Sequence, residues 1–231
     1  MKKYKHLFFD LDNTLWDFES NSMETLTELY ARHNLESLGV PSAGYFIEKY
    51  KLRNQMMWEQ YRLGKIDKET LRNDRFKLTF WDMGLDASLA PQQLAEDYVT
   101  ESPKKTRLFP DTLETLEYLS REYAMHIITN GFEEVQHIKM RASKIDHLFD
   151  EVIISELTGY KKPDVNIFIY ALNKTSASAE ECLMIGDGLE IDILGAQNAG
   201  WDSVFFNPEK IKHDTFTTYE INSLPELKKF L

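Results

Sequence analysis

The chain has 231 residues, 42% hydrophobic and 13% aromatic, with 38 acidic residues against 27 basic ones and a formal charge of −11. This apolar content excludes a disordered chain, and the length suits one large domain or a core with a smaller appended unit. The acidic balance argues against a nucleic acid polymer as partner, so an anionic ligand must be drawn by local groups and not by the net field.

The basic start, Met1 to His6, precedes an apolar run of only three residues. That is too short for a signal peptide, and no stretch approaches a membrane span. The single cysteine, Cys182, allows no intrachain disulfide and reads as a small core residue. The expectation is a cytoplasmic protein without a membrane partner.

Leu7 to Phe9 form an uncharged run suited to a strand buried on both faces of a parallel sheet. Asp10, Asp12 and Thr14 follow where the run stops. Trp16 to Asn21 is aromatic and turn-like. A helix is predicted from about Ser22 to His33, with Leu26, Leu29 and Tyr30 at helical spacing. Gly39-Val-Pro41 breaks it. A second helical pattern carries Phe46, Tyr50, Met56, Met57 and Tyr61 to Gly64. A third covers Lys68 to Met83 and a fourth Pro91 to Glu101, with proline at the permitted first position. No strand is predicted between Trp16 and Ser102, and the aromatics Tyr45, Phe46, Tyr50, Trp58, Tyr61, Phe80 and Trp81 are expected to be core of this helical block.

From Thr106 helices alternate with strands. A helix opens at Pro110, and the strand Met125 to Ile128 ends in Thr129-Asn130-Gly131. A helix from Glu133 to about Ser143 leads to the strand Val152 to Ile154. Gly159-Tyr-Lys161-Lys162-Pro163 opens a helix over Asp164 to Asn173. The strand Leu183 to Ile185 ends in Gly186-Asp187, followed by a helix to Ala199 and the strand Ser203 to Phe206. Ser223 caps the last helix. Alternation of this kind indicates an α/β fold with a doubly wound parallel sheet. The helical block interrupts that core after its first strand. The core is therefore assigned to residues 1–15 and 103–231, and an all-helical cap to residues 16–102, inserted where it can cover a site.

In open α/β sheets ligands bind beyond the carboxyl ends of the strands. Taken singly, Asp10-x-Asp12 reads as a strand end, Thr129-Asn-Gly as a turn and Lys162 as a surface lysine. Their order and placement after apolar strands give a joint signal. These four segments resemble the motifs of the haloacid dehalogenase superfamily, and the resemblance spans essentially the whole chain. Asp-x-Asp-x-Thr is similar to the phosphatase form of the first motif. The dehalogenase branch carries another residue, commonly tyrosine, at the position of Asp12.

The resemblance implies a Mg²⁺-dependent phosphomonoesterase. Asp10 would be the nucleophile that forms an aspartyl-phosphate, and Asp12 the general acid and base. Asp10, the backbone carbonyl of Asp12, and Asp187 would hold the metal. Thr129, the N–H of Asn130, Gly131 and Lys162 would clamp the phosphoryl oxygens, and Asp192 would orient Lys162 or a metal-bound water. Lys161 competes for the clamp; Lys162 is preferred because the family's lysine directly precedes the proline. Thr14 is expected to orient the loop and Glu190 to be a solvated charge. The six histidines show no paired ligand spacing, and no serine-hydrolase elbow or P-loop is present.

The strings Phe8 to Trp16, Ile127 to Phe132, Ile154 to Gly159 and Ile167 to Leu172 resemble the bacterial pyrimidine 5′-nucleotidases of this superfamily. The implied partner is a small phosphorylated metabolite, a nucleoside monophosphate, handled by a monomer or homodimer. Two readings stand for Trp16 and Phe18: stacking on a base or sugar of the substrate, or pinning the loop against the cap. A phosphatase for a sugar phosphate, phosphoglycolate or flavin mononucleotide is the alternative, ahead of a phosphomutase or a non-catalytic phosphate-binding protein.

Overall fold

The computed structural model describes residues 3–231. Six parallel strands form one sheet in the order β3-β2-β1-β4-β5-β6: β1 His6–Phe9, β2 Ala124–Thr129, β3 Glu151–Ile154, β4 Cys182–Gly186, β5 Asp202–Phe206 and β6 Tyr219–Ile221. Strand residues alternate between the two faces, and the core divides accordingly. Leu7, Phe9, Met125, Ile127, Leu183 and Ile185 pack on one side, while Phe8, Ile128 and Met184 meet Phe168 and Trp201 on the other. Both faces are covered, which is why the strands read as unbroken apolar runs and not as alternating ones.

The helices are α1 Phe18–Arg32, α2 Ala43–Arg62, α3 Lys68–Asp82, α4 Leu94–Glu101, α5 Thr112–Leu119, α6 Glu133–Ala142, α7 Ser155–Thr158, α8 Val165–Thr175 and α9 Leu194–Asn198. The chain separates into two compact units. One comprises the residues up to Phe18 with Thr106–Leu231; the other is Glu19–Lys105. The second unit has its own core, in which Leu26, Leu29, Phe46, Tyr50, Phe76, Phe80, Leu94 and Tyr98 are buried. Arg75 lies inside it, its guanidinium 4.8 Å from the Tyr98 ring centre and bonded to Asn54 Oδ1 at 3.3 Å. Among the described residues, no helix is long and apolar enough to cross a membrane.

Several details depart from the sequence reading. Trp81, expected in the helical core, is 67% exposed. Phe76 and Phe80 set the buried face of α3, and one further residue turns Trp81 about 100° away from it. The first helix starts at Phe18 and not at Ser22, which lies inside it with its hydroxyl 2.9 Å from the Tyr98 hydroxyl. After Pro91, Pro110 and Pro163 the regular helices begin two or three residues beyond the proline, at Leu94, Thr112 and Val165. The last element, Leu224–Lys229, is 3₁₀, entered through a capping box of Ser223 and Glu226. Strand β6 is absent from the sequence reading. Cys182 is fully buried, and burial pushes its thiol up to about 12.

Candidate active site

The chain leaves the central strand β1 on one side for β2 and returns on the other to β4. Such a switch point opens a crevice at the carboxyl ends of these strands. Asp10 follows Phe9 directly, and its N–H is held by Ile185 O at 2.9 Å. Beyond it the loop closes on itself. Leu15 and Trp16 donate to Leu11 O, and Asn13, in the left-handed region, donates to Trp16 O at 2.8 Å. Asparagine tolerates that conformation better than most side chains.

The ends of two strands, β1 and β4, deliver three carboxylates to one place. Asp10, Asp187 and Asp192 each bring an oxygen within 4.8 Å of the others. Lys162, which precedes a cis proline, is buried among them and donates to Asp10 Oδ1 at 2.7 Å and to Asp192 Oδ1 at 2.6 Å. Lys161 is more exposed. Asp192 reaches inward because residues Leu189–Ile193 form a π-helical turn, a distortion often found at functional sites. Its other oxygen accepts from the Gly188 N–H at 2.9 Å. Thr14, fully buried, donates to Asp187 Oδ1 at 3.0 Å and accepts from the Asp187 N–H. Glu190 is exposed.

Burial pushes the Asp10 carboxyl up to about 7, against the pull of Lys162 and with added repulsion from Asp192 and Asp12. Burial, with repulsion from Asp10 and Asp192, holds Asp187 well above the usual carboxylate range. Burial opposes the charge on Lys162, but Asp10 and Asp192 outweigh it and hold the amine above its ordinary range. Three clustered carboxylates, Asp192 buried and Asp10 and Asp187 half-buried, against one lysine leave uncompensated negative charge. Hard oxygen donors in that state fit a small divalent cation.

The second motif lies at the end of β2. Thr129 is buried, and its hydroxyl oxygen accepts from the Gly131 N–H at 3.1 Å and from Gln136 Nε2 at 2.7 Å. With both lone pairs occupied, the hydroxyl hydrogen is left to donate. Asn130 clasps the Lys162 backbone twice: Nδ2 donates to Lys162 O at 2.9 Å, and Oδ1 accepts from Lys162 N at 2.8 Å. The expected phosphoryl-binding N–H of Gly131 is thus turned onto Thr129. Gly131 also makes room, since a Cβ there would lie 2.3 Å from Gln136 Nε2.

Asp12 stands apart from the acidic cluster. Its Oδ1 accepts from Lys139 Nζ at 2.6 Å and its Oδ2 from Gln136 Nε2 at 3.0 Å. Neither α6 residue was identified from sequence. Both are buried on the stripe that also carries Phe132 and Met140, so polar types at apolar positions were the available signal. The stacking reading of Trp16 is corrected. Its ring is fully buried in the α/β core, with the Lys139 ammonium 4.5 Å from the ring centre. Phe18 is half-buried beside it, at 6.3 Å.

Comparison with known proteins places this arrangement. A sequence model of haloacid dehalogenase-like hydrolases matches residues 4–200. The chain belongs to this family. It is 31% identical to the putative HAD-hydrolase YfnB of Bacillus subtilis, over 100% of this chain and 97% of that protein. The crystal structure of YfnB, bound to magnesium, superposes with a TM-score of 0.88 at 30% identity, over 99% of this chain and 98% of the other. Pyrimidine 5′-nucleotidase PynA of Streptococcus pneumoniae is 34% identical over 97% of this chain and 93% of its own. A glyceraldehyde 3-phosphate phosphatase of Pyrococcus furiosus is 29% identical over 100% and 94%. The haloacid dehalogenase-like hydrolase described here is an enzyme of the phosphatase kind.

Proposed function

We propose that this phosphatase is a Mg²⁺-dependent 5′-nucleotidase for pyrimidine nucleoside monophosphates, working through an aspartyl-phosphate on Asp10, with the helical insert as its cap. The observation that carries the mechanism is the different setting of its two aspartates. Asp10 shares Lys162 with Asp192 inside the acidic cluster, whereas Asp12 is turned toward Gln136 and Lys139. Two carboxylates in separate environments take separate roles.

In the first step an Asp10 oxygen attacks phosphorus, the ester P–O bond breaks, and the departing oxygen takes a proton from Asp12. In the second, water attacks the phosphoryl group, its proton passes to Asp12, and the Asp10–P bond breaks to release phosphate. Lys162, the Thr129 hydroxyl and the Asn130 N–H are assigned to the phosphoryl oxygens, as a fixed electrostatic clamp. Asp192 orients Lys162, and Asn130 fixes the segment that carries it. Mg²⁺ held by Asp10, Asp187 and the Asp12 carbonyl would neutralise the repulsion between the nucleophile and a phosphate dianion.

The choice of substrate class is supported by the likeness to PynA and by the four nucleotidase-like strings. The test is phosphate release from UMP, dUMP, dTMP, AMP, glyceraldehyde 3-phosphate, phosphoglycolate and hexose phosphates. Each is run with Mg²⁺, with chelator, and with Asp10→Asn protein. Highest kcat/KM on the pyrimidine monophosphates, absent in the variant, is the expected result. Preference for glyceraldehyde 3-phosphate would leave the mechanism standing and remove the nucleotidase assignment. Silence on every substrate would remove both.

A further inference from the structure

Lys139 is a buried lysine that touches none of the acidic cluster, and the chemistry just described gives it no part. Its ammonium lies between Asp12 Oδ1 at 2.6 Å and the face of Trp16 at 4.5 Å, with Phe18 at 5.8 Å. One turn earlier on the same helix face, the Gln136 amide nitrogen divides its two hydrogens. One goes to Asp12 Oδ2 at 3.0 Å and the other to Thr129 Oγ1 at 2.7 Å. The Gln136 carbonyl oxygen is buried without a partner, so this amide is committed through its nitrogen.

Each Asp12 oxygen thus spends one acceptor site on α6 and keeps another, because a carboxylate offers about four. The carboxylate plane is held by two donors three residues apart on a rigid helix, yet a lone pair on each oxygen stays available for proton transfer. Helix-mounted donors give tighter placement than loop-mounted ones.

We propose that Lys139 and Gln136 are positioning residues for Asp12, a side-chain bridge running from the Thr129 hydroxyl to the acid/base carboxylate, with Trp16 as the floor that locates Lys139. The inference rests on the phosphatase mechanism proposed above. It gives Trp16, excluded by burial from stacking on substrate, a place in the site. It also predicts a kinetic signature. An aryl phosphate such as p-nitrophenyl phosphate expels a stable phenolate and needs no proton from Asp12 in the first step. A nucleoside monophosphate expels an alkoxide and does. Activation of water in the second step needs Asp12 with either substrate.

The experiment compares wild type, Lys139→Met and Lys139→Gln, each checked for native circular dichroism and melting temperature. Steady-state kcat and KM and single-turnover leaving-group release are measured on p-nitrophenyl phosphate and UMP. Lys139→Met keeps the aliphatic stem against Trp16 and removes the ammonium. Its steady-state kcat should fall about 10- to 100-fold on both substrates, part of the range a general acid/base supplies. On UMP, where both steps slow, KM should change less than about threefold, whereas on p-nitrophenyl phosphate, where only the second step slows, KM should fall with kcat and leave kcat/KM near wild type. Its single-turnover nitrophenol release should stay within about threefold of wild type, while uridine release from UMP falls with kcat. Lys139→Gln, which still donates to Asp12, should recover much of the lost kcat. A folded Lys139→Met with wild-type kcat on both substrates would overturn the inference. So would equal slowing of nitrophenol release and of turnover, which a merely structural role predicts. If Lys139→Met does not fold, Lys139→Leu, which likewise cannot donate to Asp12, decides by the same two rates. A wild-type protein that hydrolyses neither substrate would remove the phosphatase mechanism itself, and this inference with it.

Discussion

Gly186→Ala places a single methyl group where the site has no space for it. Gly186 closes β4 with an ordinary backbone conformation, so alanine meets no conformational barrier; its restriction of the unfolded chain even favours folding by up to about 1 kcal/mol. The obstacle is Asp192. The new Cβ would lie 2.4 Å from its Oδ2, 2.5 Å from its Cγ and 2.6 Å from its Cβ. Asp192 cannot yield cheaply, being buried and held by Lys162 Nζ at 2.6 Å and by the Gly188 N–H at 2.9 Å. Displacing it loses two charge-assisted hydrogen bonds of about 1.5–3 kcal/mol each, for a net destabilisation of about 2–5 kcal/mol. Equilibrium urea unfolding of the Mg²⁺-loaded protein measures the loss, and kcat reports whether Lys162 stays in place; a fall of 100-fold or more is expected. A variant within 0.5 kcal/mol of wild type, or above it, would refute the claim that Gly186 is required by the close approach of Asp192.

Saturating Mg²⁺ at 100 times its Kd should stabilise the wild type by about 2.7 kcal/mol and Asp187→Asn by much less, measured by melting temperature with and without chelator. Trp16→Ala should cost about 3–5 kcal/mol of unfolding free energy, as a core truncation and not a surface change, read from the urea midpoint. His126 is buried against His6, ring centres 5.3 Å apart, and burial lowers its pKa to about 4. Because the folded value lies below the unfolded one near 6.5, its contribution is present above that pH and is lost as pH falls through about 4, by up to about 3 kcal/mol. His126→Leu should therefore flatten the stability profile between pH 6.5 and 4; an unchanged slope would refute the assignment.

Much of this protein was legible because its determinants are local. Uncharged runs such as Leu7–Phe9 and Leu183–Ile185 announce strands buried on both faces, and the polar residues after them announce the end of the sheet where a ligand sits. The separation of a helical block from an alternating one follows from periodicity alone. Strand β6 escaped because three residues with one buried position carry no periodic signal, and its pairing with β5 is supplied by a distant neighbour. Trp81 was misread because composition does not give the phase of a helix; the partners of Phe76 and Phe80 do.

Asp10, Asp12, Thr129, Lys162, Asp187 and Asp192 were legible jointly, by their order in the segments that follow apolar strands and by the resemblance of those segments to the superfamily's motifs. Tertiary structure decided how they divide: Lys162 with Asp10 and Asp192, Thr14 with Asp187, and Asp12 with α6. Gln136 and Lys139 lie 124 and 127 residues from the aspartate they hold, and His6 and His126 are 120 residues apart. Sequence spacing fixes contacts within one turn of a helix or one pleat of a strand. Contacts across such separations exist only once the sheet order has brought β1, β2 and β4 side by side and burial has made each unpaired charge too costly to leave without its partner.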